Sequence, residues 1–177
     1  MRSEKSQATK MGQRYLPFAA AVVVFILDRI TKSIVKGHIS PWQAVNVIPG
    51  LFNIVHTENP GIAFGLLADL ANPWRDIILI GLAILVLAII SAVLLRAGAQ
   101  NLLLRMGLAL VMGGAVGNLF DRIVHGTVTD FVEVHAGEHY FPAFNVADSA
   151  ITIGACLLLI DMWYSRERKS QTAEVPH

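Results

Sequence analysis

Charge is what this chain has least of: only 15% of its 177 residues are Asp, Glu, Lys or Arg, against 54% that are hydrophobic. The apolar residues come in blocks rather than in alternation, and such a composition excludes an ordinary water-soluble domain. Cysteine is nearly missing as well. The lone Cys156 lies inside an apolar run, so there is no disulfide framework and no thiolate metal site, and it reads as a small packing residue. The formal net charge is only +1, and nucleic acid, which needs a concentrated basic face, is not an expected partner. His56, His125, His135 and His139 lack metal-ligand spacing, so no metal and no cofactor is expected. An internal repeat is absent too, which weakens a reading as an inverted-repeat transporter.

What is present is four apolar stretches, over about 16–36, 76–95, 102–120 and 144–163. Each is near the roughly 20 residues that about 30 Å of hydrocarbon requires. The first follows a basic leader, as a secretory signal would, but its apolar core leads straight into Asp28 and Arg29 with no cleavage site, so it reads as an uncleaved helix. The expected fold is therefore all-α and integral to the membrane: one domain over 16–165, with short polar tails at 1–15 and 166–177 that are expected to be mobile.

Orientation follows from the basic residues. Arg2, Lys5, Lys10 and Arg14 precede the first helix, Arg96 and Arg105 bracket the second turn, and Arg166, Arg168 and Lys169 follow the fourth helix. With four spans these segments share one side, which the positive-inside rule makes cytoplasmic, together with both termini. The loops over about 37–75 and 121–143 then face outward. In the first of them, residues 42–55 supply strand-forming side chains around a Pro49-Gly50 turn and predict a small antiparallel sheet on the membrane surface. The run from His56 to Gly61 is expected to break that pattern, and 62–67 reads as a loop or short amphipathic piece. Another strand is expected over 128–134.

This topology gathers polar residues that sequence order keeps apart. Asp28 and Lys32 fall one turn apart on the outer half of the first helix. Asn118, Asp121 and Arg122, at the outer end of the third, share a face if that helix continues so far. Asn145 and Asp148 differ by three at the start of the fourth, and at 1.5 Å per residue Asp148 lies about 6 Å below the helix start. With Asp130 from the loop, these groups collect at one depth near the outer leaflet. An acid at the centre of a membrane helix costs roughly 2.5–3.5 kcal/mol, so each needs a compensating partner or a use.

Bland readings stand beside the functional one. Asp28 with Lys32 reads as an ion pair, Asp121 with Arg122 as an interfacial charge cluster, and Asn118 and Asn145 as interhelical hydrogen bonds. Gly113 and Gly117 form a GxxxG packing face, and Asp148 a helix N-terminal charge favoured by the dipole. None of these explains the joint placement.

At these residues the chain resembles the lipoprotein signal peptidase family, the type II signal peptidases of bacterial inner membranes. The resemblance rests on Asp28-Arg29-Ile30-Thr31-Lys32, Asn59-Pro60-Gly61-Ile62-Ala63-Phe64-Gly65, the run from Gly113 to Arg122, Val128-Thr129-Asp130-Phe131 and Phe144-Asn145-Val146-Ala147-Asp148-Ser149. Only Thr129 departs, where valine is common. The resemblance implies an aspartic protease that cleaves diacylglyceryl-modified prolipoproteins before the lipobox cysteine, without cofactor or metal, as a monomer in the inner membrane. It implies Asp130 and Asp148 as the catalytic pair. It gives Asn59, Gly61, Asn118, Asp121, Arg122, Asn145, Asp28 and Lys32 as supporting or substrate-contacting positions. The first outer loop, with Gly61 and Gly65, is then expected to clamp over substrate.

Two other classes compete. A proton-coupled transporter would use Asp28, Asp130 and Asp148 as a relay, but the second helix has no charge between Asp76 and Arg96, nor the third between Arg105 and Asp121. A scaffold using the GxxxG face leaves the acids without a role. Serine catalysis by Ser149 lacks an identifiable base.

Overall fold

The computed structural model describes the backbone of residues 2–61, 74–96, 101–137 and 139–173, with side chains over 15–61, 74–96, 101–137 and 139–166. In chain order the elements are α1 (Arg2–His38), β1 (Ala44–Ile48), β2 (Phe52–Asn59), α2 (Trp74–Arg96), α3 (Leu102–His125), β3 (Val128–Ala136), β4 (His139–Tyr140) and α4 (Val146–Ala173).

The helices run past the apolar blocks that define them. α1 starts at Arg2 and α4 reaches Ala173, because the flanking Lys, Arg, Gln and Glu are themselves good helix formers. α3 continues five residues beyond the expected 120 and stops at Gly126, whose φ of +76° gives the left-handed cap; its N–H donates to the Arg122 carbonyl at 3.1 Å. That extension is what keeps Asn118, Asp121 and Arg122 on one helix.

Among the described residues three helices are long and apolar enough to cross a membrane: α2 over Trp74–Arg96, α3 over Leu102–His125 and α4 over Val146–Arg166. The expected first span lies within α1 and carries Asp28, Arg29 and Lys32 in its second half. Its apolar side chains point outward, with Val22, Val23, Ile26, Leu27, Ile30 and Ile34 exposed while Asp28 and Lys32 are buried. This is the inverse of a water-soluble helix.

α3 is the central element, packed against α4, α1 and α2. Small residues let the backbones approach. A Cβ on Gly113 would sit 2.6 Å from the Ala21 carbonyl of α1, and one on Gly117 would sit 2.8 Å from the Asp28 carboxylate. A Cβ on Gly114 would meet the Ala147 carbonyl of α4. Gly107 and Gly154 face each other's carbonyls across the same α3–α4 seam. A separate apolar cluster of Ile90, Leu94 and Leu108 joins α2 to α3.

The four strands form one antiparallel sheet in the order β1-β2-β3-β4. The expected turn is there: Gly50 has φ +77° and Leu51 donates to the Ile48 carbonyl at 3.0 Å. The expected break at His56 is not. β2 runs on to Asn59, absorbing the irregularity in a register shift between Ile54 and Thr57, as a bulge does when pairing must continue past a misfit. β3 likewise reaches Ala136, and β4 is an additional short strand. The expected loop or short helix over 62–67, Gly65 included, lies outside the described residues.

Candidate active site

The site begins at the N-terminus of α4. Asn145 is its cap: Asn145 Oδ1 accepts from the Asp148 N–H at 2.9 Å, and Asp148 Oδ2 accepts from the Asn145 N–H at 3.2 Å. This reciprocal pair satisfies two backbone donors that the first turn of a helix leaves free. The Ala147 N–H is taken by Asp28 Oδ1, reaching across from α1 at 3.1 Å. Asp148 therefore serves the cap with one oxygen only, and its other oxygen is turned away from the helix. Asp148 Oδ1 accepts from Asn118 Nδ2 at 2.7 Å.

Asp130 reaches the same place from the sheet. In the β2–β3 ladder Thr57 lies opposite Asp130 and Asn59 opposite Val128. Strand alternation puts Asn59, Asp130 and Val128 on one face, and Asn59 Nδ2 donates diagonally to Asp130 Oδ2 at 3.0 Å. The other oxygen, Asp130 Oδ1, accepts from Asn145 Nδ2 at 2.7 Å. Asn145 thus holds both acids, one by its side-chain amide and one by its backbone N–H. Burial pushes the Asp130 carboxyl up to about 7. The amides of Asn59 and Asn145 oppose that rise, and the neighbouring Asp148 charge adds to it.

Asp130, Asp148, Asn59, Asn118 and Arg122 line one cavity of about 270 Å³, closed on a further side by Phe141, Pro142 and Phe144. Arg122 Nη2 donates to the Gly61 carbonyl at 3.0 Å and Nη1 to the Asn118 carbonyl at 3.3 Å, while the Gly61 N–H donates to Asn59 Oδ1 at 2.9 Å. The turn after β2 is thereby tied to α3.

Asp28, Lys32 and Asp121 do not line the cavity; they stand behind it. Lys32 Nζ lies 2.9 Å from Asp28, 2.7 Å from Asp121 and 3.1 Å from Asn118 Oδ1. Arg29 adds a contact of 2.6 Å to Asp121 and lies over the Phe120 ring. Two acids and two bases offset one another here, so the expected Asp28–Lys32 pair is part of a four-membered set. Lys32 acts on the front indirectly. By donating to Asn118 Oδ1 it leaves only the NH₂ of that amide to face Asp148.

Sequence reasoning missed Arg29, Gly114 and Glu58. Arg29 lies beside Asp28 in the first helix, and its partner Asp121 is on a different helix, so residue order alone gives no signal of the contact. Gly114 lies outside the Gly113–Gly117 spacing and faces α4 instead of α1. Glu58 is the residue before Asn59, and only strand pairing shows what it faces. Among the described residues no three His, Cys, Asp or Glu side chains gather as a metal ion would need. The Ser149 hydroxyl is engaged by the Asn145 carbonyl at 2.9 Å.

Comparison with known proteins shows the family of the chain. A family model described as Signal peptidase (SPase) II matches residues 20–164. The lipoprotein signal peptidase of Solibacter usitatus is 45% identical over 149 residues, covering 84% of this chain and 91% of that one. That of Pseudomonas aeruginosa is 45% identical over 147 residues, covering 82% and 86%. A bacterial membrane enzyme solved by the in meso method at 2.3 Å superposes with a TM-score of 0.78 at 30% identity, covering 87% of this chain and 91% of the other.

Proposed function

The chain belongs to the signal peptidase II family, and from that membership we propose that it is a membrane aspartic endopeptidase acting on diacylglyceryl-modified prolipoproteins. The observation that supports the mechanism most directly is the shared bridge: Asp130 and Asp148 open on one cavity and are both held by Asn145.

Two carboxyl groups on one water-poor cavity do not both ionise cheaply, so the pair holds one proton between them. The ionised member takes a proton from a water as its oxygen attacks the scissile carbonyl carbon. The protonated member gives its proton to the carbonyl oxygen, forming a tetrahedral diol. Collapse breaks the C–N bond, and a proton passes from the pair to the departing amine, which is the amino group of the lipid-bearing cysteine. Asn59, Asn118 and Asn145 orient the carboxylates. Arg122, through Gly61 and Asn118, holds the cavity's edge.

The setting is a bacterial inner membrane. α1 completes a four-span bundle, its charges supportable at depth because they are mutually paired and buried. Both termini are cytoplasmic, the sheet is extracytoplasmic, and the cavity lies near the outer leaflet, where the diacylglyceryl anchor delivers the peptide bond. The acyl chains stay in lipid, and the enzyme acts as a monomer.

The test uses protein purified in detergent with a diacylglyceryl-modified precursor. Wild type cleaves it, in excess chelator as well, whereas folded Asp130→Asn and Asp148→Asn variants are at least 10³-fold slower, on the order expected for loss of a catalytic group. Wild-type rates in either variant would overturn the assignment, and loss of activity in chelator would redirect it to a metal.

A further inference from the structure

Behind the strands that carry Asn59 and Asp130 sits a carboxylate to which the reaction gives no part. Glu58 is opposite Thr129 in the β2–β3 ladder, so alternation turns it to the face away from the cavity. Its Oε2 accepts from the Thr127 hydroxyl at 2.7 Å. Its Oε1 accepts from the Thr129 hydroxyl at 3.2 Å and lies 3.2 Å from His56 Nε2 and 3.4 Å from Lys36 Nζ. These partners come from α1, from β2 itself, from the α3–β3 connection and from β3. His56 in turn contacts the carbonyl of Ile39, just past α1, through Nδ1 at 2.7 Å.

We infer that Glu58 is a positioning residue for the Asn59–Asp130 pair: a back-face clamp that fixes the β2–β3 register and anchors it to α1. The inference rests on the proposed role of Asp130. The register shift between Ile54 and Thr57 explains why such a clamp is needed there. Ladder pairing is interrupted just before the residues whose diagonal contact brings an amide to Asp130, and a bulge bends and twists its strand locally. Glu58 is met by His56 from within that interruption and by Thr129 and Thr127 from the partner strand and turn just beyond it. Thr129 takes part through its hydroxyl, which reaches from β3 to Glu58 on the same face. Burial works against ionisation of Glu58, but the donated bonds from Thr127, His56 and Thr129 and the charge of Lys36 prevail, and its carboxyl lies below the usual range. The clamp therefore stays charged at neutral pH.

The experiment measures kcat/KM against pH for wild type, Glu58→Gln, Thr129→Val, Asn59→Ala and the double variant Glu58→Gln/Asn59→Ala, all in detergent on a lipidated precursor. Donation from Asn59 favours the ionised form of Asp130, so loosening the clamp moves the limb that Asp130 controls to higher pH. Glu58→Gln is expected to lower kcat/KM about tenfold with that upward shift, Thr129→Val to do the same more weakly, and Glu58→Gln to add little once Asn59 is alanine. A uniform loss at all pH values, or full additivity with Asn59→Ala, would overturn the inference by showing mere loss of folded enzyme. Wild-type behaviour of both Glu58→Gln and Thr129→Val would overturn it equally. Failure of the wild type itself to cleave would strike the proposed function and not the clamp alone.

Discussion

Asn145 Nδ2 lies 2.7 Å from Asp130 Oδ1, across the junction between the sheet and the helix bundle. The same residue caps α4 through Asp148. Stability of a helix end and alignment of two acids therefore depend on one side chain, and substitutions at Asn145 separate these duties.

Asn145→Ala is expected to lose about 1 kcal/mol from the cap alone, and more from Asp130 Oδ1, which loses a buried donor. Asn145→Ser restores a capping oxygen but not the amide. Thermal unfolding in detergent should rank wild type above serine above alanine. The two variants should be similarly impaired in cleavage, by 10²-fold or more. Recovery of activity by serine would show that the cap was all that mattered.

Asp130 gives a pH dependence of stability with a definite sign. Its folded value, about 7, is raised above the ordinary 3.8, so the folded state binds the proton more tightly than the unfolded chain does. The associated stability is complete below about pH 4 and is lost as pH rises through 7. Asp130→Asn lacks this loss. Its unfolding free energy relative to wild type should therefore rise between pH 4 and 8, by on the order of a few kcal/mol. A difference independent of pH would show that Asp130 is not held protonated by the fold.

Lys32 neutralises Asp28 and Asp121 where neither meets solvent. Lys32→Met leaves uncompensated buried charge and should destabilise by about 3–5 kcal/mol. The double variant Lys32→Met/Asp28→Asn should recover part of that loss in the same unfolding assay. No recovery would mean that Lys32 acts by packing rather than charge.

Gly114 marks the closest approach of α3 to α4. A methyl group there collides with the Ala147 carbonyl and comes within 2.8 Å of Ile151, so the helices must separate. Gly114→Ala is expected to cost about 1–3 kcal/mol and to slow cleavage by lengthening the Asn118–Asp148 contact. Gly81→Ala, which meets nothing within 4 Å, serves as the control and should be neutral in both assays.

Much of this was legible from residue order. The apolar blocks mark both ends of α2 and α3 and the start of α4 to within about five residues, because helix formation follows composition over a few turns. The Pro49-Gly50 turn and its flanking strands are local in the same way. Asn145 and Asp148, three apart ahead of an apolar run, already have the spacing of a cap. The errors fell where local signals lost to distant partners. His56 to Asn59 reads as a broken strand, yet β3 offers ladder partners that carry it on through a bulge.

Other relationships have no sequence signature. Glu58 looks like a solvated loop acid until pairing with β3 sets it among Thr127 and Thr129. Which amide faces which carboxylate is decided by Lys32, 86 positions from Asn118 along the chain. By itself the sequence determined that α2, α3 and α4 are apolar helices long enough to cross a membrane, which residues are too polar for their surroundings, and that those residues need one another. The tertiary structure decided that Asp130 and Asp148 share a cavity while Asp28 and Asp121 stand behind it. The physical reason is one of range. Helix and turn preferences act over about four residues, whereas the facing of two buried acids depends on strand register and on the close helix contact that Gly114 permits.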